Sequence, residues 1–188
     1  MSTILSFIAK LISNNRDDDL REFIVAYFLE EKAFSVVEKV VPNSGFPGGK
    51  FLQKSKINNP KTGKPYQPEE VGIGEEVNLN GWRFKLIGAT EGTLRAMEAN
   101  SETFSRSDLA SFLLPISEKL KHKTNDLRMA FQEKDKFKRG RVQRDQVDPI
   151  LSKFGINLGP QESITLFRRY QFADSNLFEY NDFIDNIK

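Results

Sequence analysis

The sequence predicts an α+β protein built from two units in series, the first rich in β-strand and the second all helical. Three observations lead to that class. From Leu20 to about Gly88 the apolar residues alternate with the period of two that a strand imposes. From Ser105 onward the alternation gives way to helical spacing. Between them lies the polar stretch "EANSETFSRSD", which places a boundary near Asn100 to Asp108. The 188 residues suffice for one medium or two small cores, and 38% hydrophobic with 29% charged residues suits a folded chain rather than a disordered one. Lysine and arginine number 28 against 26 aspartate and glutamate, too even a balance to imply nucleic acid. Cysteine is absent, which excludes disulfides and thiolate metal sites.

Taken in order, "ILSFIAKLI" (Ile4 to Ile12) is too short to span a bilayer and lacks the basic residues that precede a signal peptide's apolar core. Its Ile4, Leu5, Ile8, Leu11 and Ile12 follow helical spacing, so a docked helix and linker are expected over 1–19. In "REFIVAYFLE", Phe23, Val25, Tyr27 and Leu29 occupy one face and Ile24, Ala26 and Phe28 the other, as in a central strand of a curved or closed sheet. "EEKA" turns the chain into "FSVVEKVV". "VNLNGWRFKLIG" sets Asn80-Gly81 between two alternating runs, a hairpin signal because both residues tolerate positive φ. "TEGTLRAMEAN" then offers Thr90 as the cap of a short helix with Leu94 and Met97 on one face. "SRSDLASFLLPISEKLKHK" reads as a helix with a bend at Pro115.

"NSGFPGGKFLQKSK" (Asn43 to Lys56) resembles a phosphate cradle in its glycines and lysine. A P-loop needs four residues between its glycines and Lys-Ser or Lys-Thr after them, opening a helix. Here Gly45 to Gly49 is one residue short, Lys50 precedes Phe51, and the flanks read as strand. These glycines are expected to permit strained turns instead.

The same residues carry a resemblance. "REFIVAYFLEEKAFSVVEKVVPNSGFPGGKFLQKSKI" with "VGIGEEVNLNGWRFKLIGATEGTLRAME" resembles a DM-10 domain over about Leu20 to Ala99. The resemblance implies a small β-rich, pleckstrin-homology-like barrel closed by a C-terminal helix, known chiefly from ciliary and flagellar axonemal proteins. The partition expected is 1–19 helix and linker, 20–100 DM-10 domain, 101–123 connecting helix and 124–188 a second unit.

In that second unit the spacing fits paired EF-hands. A calcium loop of twelve residues wants oxygen ligands at positions 1, 3, 5, 9 and 12, glycine at 6 and an apolar residue at 8. With Gly140 at position 6, one loop runs from Asp135 to Gln146 and has Val142 at position 8. A second runs from Gln171 to Asp182, with Asn176 at 6 and Phe178 at 8. The ligands are missing. Phe137 and Arg139 stand at positions 3 and 5 of the first loop, and Lys136, Lys138 and Arg141 add positive charge. Gln171, Ala173 and Ser175 replace the carboxylates of the second, so no calcium binding and no other cofactor are expected.

A DM-10 domain followed by such hands resembles the C-terminal part of the EF-hand-containing ciliary family that includes myoclonin and the flagellar ribbon-compartment proteins. Its members commonly carry three DM-10 domains, so this chain fits either a short paralogue or an excised portion. The resemblance implies a microtubule inner protein of the cytoskeleton, in the axoneme of a cilium or flagellum. Its partners would be tubulin, the doublet microtubule and other inner proteins, with neither nucleic acid nor membrane. The basic residues Lys136, Lys138, Arg139 and Arg141 are the candidate partner contacts, suited to an acidic surface. Two alternatives stay open: a phosphoinositide- or protein-binding adaptor using Lys50, Lys54, Lys56, Lys61 and Lys64, and a calcium-responsive ciliary regulator. Catalysis is not expected. The single histidine, His122, lies in the polar segment "KLKHKTN", and "RDDDL" (Arg16 to Leu20) reads as a solvated linker.

Overall fold

A computed structural model of the chain describes residues 3–187, so the outermost residues of the first and last expected segments, 1–2 and 188, lie outside it. The chain divides into two compact units between Phe104 and Ser105.

The first unit is a six-stranded antiparallel sheet: β1 (Ile4–Leu11), β2 (Phe23–Phe28), β3 (Ala33–Glu38), β4 (Gly49–Lys56), β5 (Glu76–Leu79) and β6 (Trp82–Ala89), in the order β4-β3-β2-β1-β6-β5. The expected N-terminal helix is a correction: residues 4–11 form a strand at the middle of the sheet, paired with β2 on one side and β6 on the other. Its run satisfies two periods at once. Leu5, Phe7, Ala9 and Leu11 alternate and are all buried, and two partner strands offer a full backbone ladder that a peripheral helix would not. The β-rich unit therefore starts at least sixteen residues before the boundary expected at residue 20.

The sheet curls. Three strands lie between β4 and β6 in the sheet order, so four spacings would hold them roughly 19 Å apart if the sheet were flat. Yet Phe51 of β4 lies with ring centroids 5.9 Å from Phe84 and 5.2 Å from Trp82 of β6, and Phe23 of β2 touches Phe51 and Phe84. Ile87 adds an extra residue opposite Ile8 and Ala9, a bulge that sharpens the twist. Asn80 and Gly81 turn β5 into β6 with φ of 55° and 90°, the two-residue hairpin expected. Helix α1 (Glu91–Ala99) is capped by Thr90, and its buried Thr93 accepts from the Ser6 N–H at 2.7 Å, fastening the helix to β1.

The second unit contains α2 (Leu109–Leu120), α3 (Thr124–Gln132), β7 (Arg141–Gln143), α4 (Arg144–Lys153), α5 (Pro160–Arg169), β8 (Leu177–Glu179) and α6 (Tyr180–Asn186). Phe112, Ile116 and Leu120 of α2 join its core, so the segment expected as a connector is part of the unit. Pro115 lies inside this helix, as Pro149 does inside α4. Strands β7 and β8 pair antiparallel and set Val142 opposite Phe178. Around that pair gather Leu127, Phe131, Leu151, Leu166, Tyr170 and Phe183, all buried. Phe131 stacks on Tyr180, with ring centroids 5.2 Å apart.

Candidate functional site

The glycine-rich turn covers a buried charge cluster. Arg21, 9% exposed, donates from Nε and a terminal nitrogen to both Glu38 oxygens at 2.7 and 2.9 Å, and from Nη1 to Asp18 at 2.8 Å. Its guanidinium lies 4.1 Å from the ring centroid of Phe46, in the middle of the turn, with Phe23 and Phe51 behind. Gly45, Gly48 and Gly49 all take positive φ, which lets so short a turn fold its phenylalanine over the arginine. At Gly48 a Cβ would stand 2.9 Å from Val40 Cγ2 and 3.1 Å from the Glu38 carbonyl oxygen. Hydrogen bonds from Ser13 and Arg21 hold the Asp18 carboxyl below the usual range, and Glu38 holds the Arg21 proton more firmly than normal. No local signal marks Arg21, because Glu38 lies far along the chain; the expectation of a solvated linker at "RDDDL" is a correction, since Asp18 is buried.

The five lysines named for a lipid surface are all exposed, and carboxylates stand among them. Lys54 pairs with Glu31 at 2.6 Å and lies over the Phe28 ring. Lys61 borders a cleft of about 520 Å³ that Glu69, Glu70, Glu75 and Glu76 also line. Lys50, Lys54 and Lys56 run along β4, an edge strand, where lysine discourages pairing with another chain. The other edge, β5, has its Asn78 N–H satisfied by the Tyr66 hydroxyl at 2.9 Å.

In the second unit, the turn between α3 and β7 is built around Asp135, 5% exposed. Its Oδ1 accepts from the Arg139 N–H at 3.1 Å, and its Oδ2 from the N–H groups of Gly140 and Arg141 at 2.6 and 3.3 Å and from the Tyr180 hydroxyl at 3.1 Å. Burial opposes its ionisation, but these four donors outweigh burial and hold its carboxyl below the ordinary range. Burial and the Asp135 carboxylate push Tyr180 the other way, to about 12. Both oxygens are thus engaged by the protein's own donors. In the register expected for a calcium loop, Phe137 and Arg139 would stand where the ion needs oxygen, and the residues present do not fit it.

Of the expected partner contacts, Lys136, Lys138 and Arg139 are exposed. Arg141 differs from the other three: it is half-buried, bonded to Glu179 at 3.2 Å and stacked on the Phe172 ring at 3.2 Å. A β-ladder position beside a carboxylate and an aromatic face holds it inside the fold. The second turn departs from its expected conformation. Ala173, not Asn176, takes the left-handed conformation, with φ of 46°. The Gln171 amide donates to the Ser175 carbonyl at 2.6 Å, and the Ser175 N–H to the Phe172 carbonyl at 3.2 Å, closing a tighter turn. His122 is exposed.

Residues 1–93 match the sequence profile of the DM10 domain. The first unit is a DM10 domain. That range takes in β1, in agreement with the sheet and against a start at residue 20. EF-hand domain-containing family member C2 of Bos taurus is 32% identical over 182 residues, 93% of this chain and 25% of its own length. The Mus musculus protein of the same name is 31% identical over 182 residues. EF-hand domain-containing protein 1 of Homo sapiens is 35% identical over 112 residues, 57% of this chain and 18% of its own. The chain spans about a quarter of the length of the C2 relatives. A match over 93% of the chain extends past the DM10 domain into the helical unit, and the relatives' name includes the EF-hand domain.

Proposed function

We propose that this chain is a structural, partner-binding protein rather than an enzyme: a microtubule inner protein that binds tubulin and neighbouring inner proteins and stabilises ciliary doublet microtubules. In this reading it resides in the cytoplasm on the axonemal cytoskeleton of a cilium or flagellum. The DM10 domain is a pleckstrin-homology-like barrel, and the second unit is an EF-hand pair that has exchanged its ion for internal hydrogen bonds. The observation that carries the reading is Asp135, whose oxygens are taken by three loop N–H groups and Tyr180 while the cations beside it face outward. Such a loop keeps its shape without calcium and offers charge to an acidic surface, of which tubulin is the proposed example. Support also comes from the relatives' names and from the DM10 domain itself. A lipid-binding adaptor is weakened by the carboxylates that oppose Lys54 and Lys61.

The test is co-sedimentation of the full chain with microtubules and, in parallel, with phosphoinositide vesicles. Pelleting with microtubules, weakened by salt and indifferent to calcium, is the expected result. Pelleting with the vesicles alone would replace this reading by the adaptor.

A further inference from the structure

We infer that the turn between α3 and β7 is a docking tip for an acidic protein segment, with Phe137 as its apolar anchor and Lys136, Lys138 and Arg139 as the cations around it. The inference rests on the binding-protein reading above and gives it an anchor and a partner chemistry.

Phe137 is 79% exposed, more than any other large apolar side chain among the described residues. It occupies a loop position where an ion-binding hand would turn an oxygen inward, and here the aromatic points to solvent instead. The Arg139 guanidinium lies 5.6 Å from its ring centroid, and Lys136 and Lys138 flank it in the chain. None of these three cations forms an ion pair within the described residues, whereas Arg141 next to them is committed to Glu179. The tip is held from beneath. Asp135 fixes the N–H groups of residues 139, 140 and 141, and Lys138 and Gly140 hold φ of 54° and 74°. A partner therefore meets an anchor already ordered, which lowers the entropy lost on binding.

A cleft of about 380 Å³ opens beside the tip, lined by Gln132, Asp135, Lys138, Gly140, Tyr180 and Asn181. Amide groups and a lysine along such a wall can meet the polar atoms of a peptide. An apolar side chain next to an acidic one would set its carboxylate on the cations while its neighbour covers Phe137. A lipid surface fits less well, because a single shallow aromatic with a few cations falls short of the two signals that stable membrane attachment takes.

The experiment titrates the isotope-labelled full chain, followed by amide NMR, with three probes: a synthetic peptide of alternating Glu and Leu, one of alternating Glu and Ser, and phosphatidylserine vesicles. The Glu-Leu peptide should shift the amides of residues 136–141 and bind at least about tenfold more tightly than the Glu-Ser peptide. Phe137→Ala should erase that difference and Phe137→Trp restore it, while Lys138→Glu with Arg139→Glu should abolish both interactions. These side chains are exposed, so melting curves should confirm that the variants remain folded. Equal binding of the two peptides, an unaffected Phe137→Ala variant, shifts mapped elsewhere, no peptide binding, or binding to the vesicles alone would each overturn the inference. Such a failure with microtubule pelleting intact removes the docking tip alone; loss of pelleting removes the scaffold reading.

Discussion

Arg21 sits between two carboxylates that are each only 8% exposed, so replacing it strands two buried charges rather than one bond. Arg21→Met should lower the unfolding free energy of the full chain by about 3–5 kcal/mol, measured by urea denaturation. The turn above it gives a graded series. Gly48→Ala combines a positive φ with a clash against the Glu38 carbonyl and should cost more than about 1 kcal/mol. Gly49→Ala has open space but φ of 102°, and should cost less than Gly48→Ala. Lys50→Ala should be near neutral, and equal melting temperatures for all three would remove the turn interpretation. Asp135 supplies a pH signature. Its folded pKa is below the unfolded value of about 3.9, so its contribution is complete well above that value and is lost as pH falls through the lower folded value. Asp135→Asn should therefore destabilise at neutral pH and flatten the acid limb of the stability profile. Tyr180 acts at the other end: its raised pKa contributes stability below about 10 that is lost as pH rises toward about 12.

Strand β1 shows where element-level reasoning from sequence succeeds and where it stops. The hairpin at Asn80-Gly81 and the helix capped at Thr90 were legible because their signals are local: a pair of residues tolerant of positive φ, and an oxygen before an apolar face. Val142 and Phe178 were placed at the same position of two similar loops, and the structure sets them opposite each other. Ile4 to Ile12 carries no local arbiter, since its apolar residues fit both a helix and a strand, and the decision rests with β2 and β6. The same limit hid the Arg21 cluster, whose carboxylates come from separate elements, and the conformation of Asn176, which the cross-turn bond of Gln171 decides. Hydrogen exchange separates the two possibilities for the first segment. The amides of Phe7, Ile8 and Ala9 should be among the slowest in the first unit, whereas a docked peripheral helix would exchange through local opening. Phe178→Ala, at the meeting point of four aromatic rings, should destabilise the second unit by about 3–5 kcal/mol.

At the scale of the whole molecule, the two compact units carry separate expectations, and calcium independence belongs to the second. Calorimetric titration with calcium should show no saturable site tighter than about millimolar, and melting curves with calcium or a chelator should superimpose. A saturable shift would mean that the Asp135 hydrogen bonds give way to the ion. The position of β1 reaches into how the chain is made. Phe7 waits for Ala89, so β1 leaves the ribosome well before the neighbour that completes its pairing. Until β6 emerges, one side of β1 is an open edge able to recruit a neighbouring nascent chain. A gene trimmed to begin at residue 20 would make that exposure permanent on two strands, β2 and β6, and the product should collect in inclusion bodies. Adding back a synthetic peptide of residues 3–12 during refolding should then rescue it, as a missing middle stave restores a cask.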